Sequence, residues 1–132
     1  MSVYLWIALG SALGGAARYW CYGIFARSLG IAFPWGTLFV NVLGCLFIGF
    51  FATLTAPDGR MFVAPLTRQI VMAGICGGFT TFSSFSLETL NLARDGEFFR
   101  ASGNVIASVA LCLIGVWLGH AVGLYLNRLK GF

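Results

Sequence analysis

The residues of this 132-residue chain that could do chemistry are mostly neutral donors and rings. Thr37 and Asn41 stand four apart, one turn along the same helix face. The stretch AGICGGFTTFSSFSLE (73–88) sets Thr81, Ser84 and Glu88 at i, i+3 and i+7, with Phe82 and Phe85 beside them. Asn104, Ser108 and Cys112 repeat at i, i+4 and i+8. Amides and hydroxyls donate hydrogen bonds, and a phenyl ring has a negative face but a positive edge. Together these groups can replace water around a small anion without gripping it by full charge, the balance that conduction needs. Each also has a plainer reading. The Phe stripe packs or faces lipid, Asn41 is interhelical glue, and Glu88 reaches water at a helix end. There is no metal-ligand cluster, no Ser/His/Asp set and no acid pair within reach, which argues against an enzyme.

Such residues need a scaffold, and composition says which kind. The chain is 59% apolar and 9% charged, where a soluble domain carries about 25% charged residues; mean hydropathy is +0.90. A membrane span takes about 20 mostly apolar residues. Four fit, at about 2–25, 35–54, 68–92 and 101–126, making residues 1–132 a single all-α integral membrane domain with no room for a soluble catalytic one. Pro34 and Trp35 mark the start of the second span. Pro57, Asp58, Gly59 and Arg60 mark a turn, and the RDGEFFR segment (94–100) must be aqueous. Arg128 and Lys130 close the chain. The N-terminus is apolar from Val3 without a basic region, which reads as a retained span rather than a cleaved signal peptide. The net charge of +4 comes from scattered residues, not a block, so nucleic acid is not an expected partner. Cys21, Cys45, Cys76 and Cys112 form no CxxC pair and read as small packing residues. His120, near the end of the last span, reads as interfacial.

Basic residues are nearly balanced between the two sides: Arg60, Arg68, Arg128 and Lys130 against Arg27, Arg94 and Arg100, with Arg18 left inside the first span near its far end. Orientation follows Lys/Arg bias. So weak a bias fits either orientation by another signal or insertion both ways, which would permit an antiparallel homodimer resembling an inverted repeat. Gly10/Gly14 and Gly115/Gly119/Gly123 predict close helix contacts. In the third span Gly77-Gly78 followed by Thr80-Thr81 is poor helix material. A break near 77–80 is one reading, with freed carbonyls able to coordinate a cation; an intact helix with a glycine contact face is the other.

The segments WGTLFVNVLG (35–44) and GGFTTFSSF (77–85), preceded by GGAARY (14–19), resemble the Fluc/CrcB fluoride channels, and the likeness covers all four spans in order and length. The resemblance implies a passive fluoride exporter in the bacterial inner membrane: an antiparallel, dual-topology homodimer with two pores, each built from both subunits. It implies that Asn41 faces the pore and donates to fluoride, and that the ring edges of Phe82 and Phe85 point at the ion. Arg18 would lie by the vestibule. Thr37, Thr81, Ser84 and Glu88 would belong to the polar track. The broken stretch resembles a structural Na+ site on the dimer axis, held by the backbone carbonyls of Gly77 and Thr80 from each subunit. The last span departs from the pattern: Ser108 fits, whereas Asn104 lacks the ring some members place there and Cys112 is a weaker donor than serine. Two rivals stand beside this reading. A small dual-topology proton-coupled antiporter would need a membrane-central carboxylate, and a non-transporting scaffold would pack through its glycines.

Overall fold

The computed structural model describes residues 2–129, so Lys130 lies outside the described residues. Within that range every regular element is helical. Helix α1 is Val3–Leu29 and α2 is Trp35–Leu54. A composite third helix follows: α3 (Pro65–Gln69), a π-helical segment (Ile70–Cys76), α4 (Gly77–Phe79) and α5 (Phe82–Arg94). Helix α6 is Phe98–Arg128. Three stretches, Trp35–Leu54, Pro65–Arg94 and Phe98–Arg128, are long and apolar enough to cross a membrane. Helix α1 has the length, 27 residues, but its glycines, tyrosines and Arg18 dilute its hydropathy.

Several boundaries differ from expectation. Helix α1 runs on to Leu29 and stops at Gly30, whose φ of 76° suits glycine and whose N–H reaches Ala26 O. Arg18 therefore sits near the middle of its helix, not near its far end. The third helix starts at Pro65, placed at the first turn where its missing N–H costs nothing. The segment 94–100, expected to be aqueous throughout, contracts to a turn over 95–97 about Gly96 (φ 79°), and Phe98 already belongs to α6.

The helices approach through backbone. A Cβ on Gly119 would strike Leu46 O and lie 2.8 Å from Phe50 N, so α6 lies directly on α2, its most extensive neighbour. A Cβ on Gly14 would strike Ile75 O and lie 2.7 Å from Phe79 N, while Gly78 meets Ser11 of α1 in the same way. Both glycine stripes are thus spent inside the chain. The interior mixes polar and apolar side chains. Among the described residues Val40 and Asn104 are the largest fully buried side chains, and Thr37, Thr53, Thr55, Thr81 and Ser108 are buried beside Leu38, Leu54, Phe85 and Ala101. In lipid, where apolar burial gives helices no drive to associate, close backbones and hydrogen bonds take over. Thr53 Oγ1 lies 2.7 Å from His120 Nδ1, and Arg68 donates to Thr55 Oγ1 (3.1 Å) and Ala52 O (3.3 Å), placing a cation on the C-terminal end of α2.

The third helix is interrupted between α4 and α5. Thr80 (φ −83°, ψ 157°) and Thr81 (φ −154°, ψ 113°) are extended. The glycines are not the break: Gly77 is helical (φ −63°, ψ −34°), because Gly74 and Gly78 are the contact that admits α1. The threonines are. Thr80 turns its hydroxyl back to Cys76 O (3.0 Å), and Thr81 caps α5 by accepting from Ser84 N–H (3.1 Å).

These contacts give a paired test. Gly119→Ala should lower thermal stability in detergent by about 1–3 kcal/mol through overpacking against Leu46. Gly103→Ala, in a helix with open space around it, should be neutral or stabilising by up to about 1 kcal/mol. Equal effects would contradict the α2–α6 contact.

Candidate functional site

The interruption is held by one side chain. Asn41 Nδ2 donates to Thr81 O at 3.0 Å, and Thr81 N–H donates to Asn41 Oδ1 at 2.7 Å. The amide thus imitates a strand partner for a residue that has left its helix. Carbonyls along the interruption lose their helical donors as a result, those of Gly77 and Thr80 among them. The N–H that would bond Gly77 O is Thr81's, now on Asn41. The N–H that would bond Thr80 O is Ser84's, now on the Thr81 hydroxyl. Gly44 on α2 makes room for this strand, since a Cβ there would strike Thr80 Cγ2.

Beside the interruption lies an open groove of about 440 Å³ between α2, the third helix and α6. Asn41, Gly77, Thr80, Thr81, Phe82, Phe85, Ser108 and Cys112 all line it, so eight of the residues singled out from sequence come together there. The two rings pack tilted, 5.2 Å between centroids and 48° between planes. They differ in exposure: Phe85 is 8% exposed and Phe82 77%, so Phe82 stands at the rim.

Other expected residues fall elsewhere. Thr37 and Glu88 line a separate cavity of about 340 Å³ at the α1–α2 turn, with Tyr22, Asn91 and Asp95. Thr37's hydroxyl donates to Glu88 Oε1 at 2.7 Å, and Tyr22 Oη lies 3.3 Å from the same hydroxyl. Glu88 Oε2 is buried without a hydrogen-bond partner among the described residues. Ser84 accepts from the Thr81 hydroxyl (3.1 Å) behind the groove wall. Asn104 is 1% exposed and acts within the α5–α6 contact, donating to Thr89 Oγ1 (2.9 Å) and accepting from Ser108 Oγ (3.3 Å). Arg18 is half-buried on α1, with one guanidinium nitrogen 3.5 Å from Thr80 O.

Sequence reasoning passed over Thr89 and Tyr22, and gave Cys45 only a packing role. Thr89 follows Phe85 by one turn and could have been found as the α5 partner for a buried Asn104. Tyr22 follows Arg18 by one turn. Cys45 follows Asn41 by one turn and also lines the groove.

Chemically, the groove offers what Asn41 has left over. An amide has two N–H donors, and Thr81 O uses one. The Phe85 ring, the Cys112 thiol and the Ser108 hydroxyl also line the groove. No carboxylate lines the groove.

Comparison with known proteins places the chain in a family. Residues 5–120 match the family model described as "CrcB-like protein, Camphor Resistance (CrcB)". A protein of Opitutus terrae named fluoride-specific ion channel FluC is 61% identical over 131 residues, covering 99% of each chain. One of Methylocella silvestris with the same name is 58% identical over 128 residues, covering 97% of this chain and 98% of its own. A third, of Rhodospirillum rubrum, is 55% identical over 125 residues, covering 95% and 97%. With its membrane-capable helices, the chain is a multi-pass membrane protein and belongs to the CrcB (FluC) family.

Proposed function

We propose that this chain forms a passive fluoride channel, a transporter without catalytic chemistry. The observation that carries the reading is the groove that gathers Asn41, Phe85, Ser108 and Cys112 without a carboxylate, in a chain whose relatives are named fluoride-specific ion channels. Fluoride is small and strongly hydrated, so a pathway must replace its water with donors. The second Asn41 N–H and the positive ring edges of Phe85 and Phe82 supply them. All are neutral, so the ion can leave as well as bind. Arg18, a half-buried cation on the far side of Thr80, raises the local concentration of anions. The Thr81 and Ser84 hydroxyls continue the polar track toward Thr37 and Glu88.

The groove is open on one side, and Phe82 at its rim is largely exposed. A second copy of the chain closes it, inserted antiparallel so that two grooves become two pores. All four long helices, α1 included, then cross the bacterial inner membrane as one domain. The near-equal basic residues on the two sides allow both orientations. The antiporter alternative finds no footing in the groove, since Glu88 is bonded to Thr37 in a separate cavity.

The released carbonyls of Gly77 and Thr80 suit a hard cation, which takes neutral oxygen ligands. One chain offers two such oxygens, so a dimer would offer four to a structural Na+. When bound, the ion would tie the two interruptions together. Thr80 O already faces Arg18, so this carbonyl serves two cations.

Physiology follows from acid–base chemistry. Neutral HF crosses membranes and dissociates inside, where the anion is trapped. A selective passive path lets it leave, driven by an inside-negative potential, with no nucleotide or proton site required.

The test is ion efflux from liposomes holding the purified chain. Fluoride should leave rapidly and chloride should not; equal or absent release would overturn the proposal. In the same assay Phe85→Ile should slow fluoride several-fold, matching the roughly 1 kcal/mol of a ring-edge contact. For the cation, replacing sodium throughout with N-methylglucamine should dissociate the dimer or halt fluoride flux. An intact, conducting dimer without sodium would contradict a structural ion.

A further inference from the structure

The connection from α2 to the third helix, residues 55–64, encloses a cavity of about 600 Å³ whose wall holds Arg60 and Arg68. The helical stretches on both sides of it are long and apolar enough to cross a membrane, so the connection lies at the level of the lipid headgroups. Arg68 is half-buried. Its Nε donates to Thr55 Oγ1 at 3.1 Å and one Nη to Ala52 O at 3.3 Å. That uses two of the five N–H groups of a guanidinium and fixes where the others stand. Arg60 is exposed at the cavity edge but anchored as well. Its backbone N–H donates to Asn127 Oδ1 at 2.8 Å, and a guanidinium nitrogen donates to Leu126 O at 3.3 Å.

Every one of these acceptors is neutral. The ion pair among the described residues, Arg100 with Glu97, is at the opposite end of α6. Asp58 belongs to the same loop, yet it does not line the cavity and pairs with neither arginine. The carbonyl end of α2 presents about half a negative charge to Arg68, against two full cations. The cavity therefore carries positive charge that the chain leaves unneutralised. Its wall also includes Met61 and Phe62, and Phe62 is 96% exposed. Two fixed cations beside exposed apolar side chains, at headgroup depth, match a molecule with an anionic head and a hydrocarbon tail. We infer that this cavity binds a glycerophospholipid of net negative charge. Its phosphate accepts charge-assisted hydrogen bonds from Arg60 and Arg68, and the start of an acyl chain lies on Met61 and Phe62. A free phosphate would use the arginines and leave the apolar rim idle. The cavity shares no residue with the groove at Asn41.

The purified full chain, stripped of lipid in neutral detergent, is titrated with dioleoyl phosphatidylglycerol or dioleoyl phosphatidylcholine. Native mass spectrometry counts the tightest-binding lipid on each chain. Phosphatidylglycerol should bind roughly 10-fold or more tightly than phosphatidylcholine, since each arginine near a headgroup is worth about fivefold. Arg60→Gln should weaken phosphatidylglycerol about fivefold, and the double variant with Arg68→Gln roughly 25-fold. Arg94→Gln, at the end of α5, should change nothing. Phe62→Ser should weaken the lipid several-fold. Arg68→Gln removes support from α2, so the exposed Arg60 and Phe62 keep the test decisive if that variant does not fold. Equal binding of the two lipids, unaltered affinity in Arg60→Gln, or an equal loss in Arg94→Gln overturns the site. Displacement of the lipid by excess inorganic phosphate, or indifference to Phe62→Ser, would assign a free anion and overturn the lipid. Binding is counted without transport, so this inference and the channel proposal fail separately.

Discussion

The fold turns on one pairing, the Asn41 amide against the backbone of Thr81. A peptide unit that leaves a helix inside a bilayer has no water to take its hydrogen bonds, and each unsatisfied group there is expensive. Asn41 supplies one acceptor and one donor at 2.7 and 3.0 Å, enough to satisfy both the N–H and the C=O of Thr81. The interruption is then affordable, and everything near the groove follows from it. Thr81 is free to cap α5, Phe82 and Phe85 start a new helix at the groove, and the Gly77 and Thr80 carbonyls are left without helical donors.

The surrounding packing serves to bring Asn41 to Thr81. Gly44 on α2 makes space for the Thr80 side chain, and Gly14 on α1 lets the third helix lie close on its other side. The same exchange of bulk for proximity joins α2 to α6 and fixes the far wall of the groove. Polar side chains do the remaining work. Asn104 ties α6 to α5 through Thr89, and Thr37 ties α2 to α5 through Glu88. A chain with few fully buried apolar side chains is thereby held by hydrogen bonds and backbone contact, as lipid-embedded helices are.

Much of this was legible in the residues. The bounds of α2 follow from Pro34, Trp35 and an unbroken apolar run. That Ser108 and Cys112 share one face of α6 follows from helical spacing, though which faces meet at the groove does not. Tertiary partners were not legible. Gly77-Gly78 reads as a helix breaker by propensity, yet those glycines are helical because α1 needs the room, and the threonines carry the interruption. Asn104 reads as part of a pathway by spacing, yet it is wholly buried against Thr89. Thr37 and Glu88 read as one track with Asn41 and Thr81, yet they open onto a second cavity, since the turn between α1 and α2 brings Tyr22 over them. The π-helical segment has no local signature; it lies where Gly10 and Gly74 force α1 and the third helix together.

The pairing can be tested at the atom it satisfies. Hydrogen exchange at the Thr81 amide, read by NMR on the protein in detergent micelles, compares the native chain with Asn41→Ala. A buried hydrogen bond worth about 1–2 kcal/mol should make the Thr81 amide exchange roughly 5- to 30-fold faster in the variant, with α2 amides distant from residue 41 unchanged. Equal protection of Thr81 in the two chains would mean that something other than Asn41 holds the interruption open.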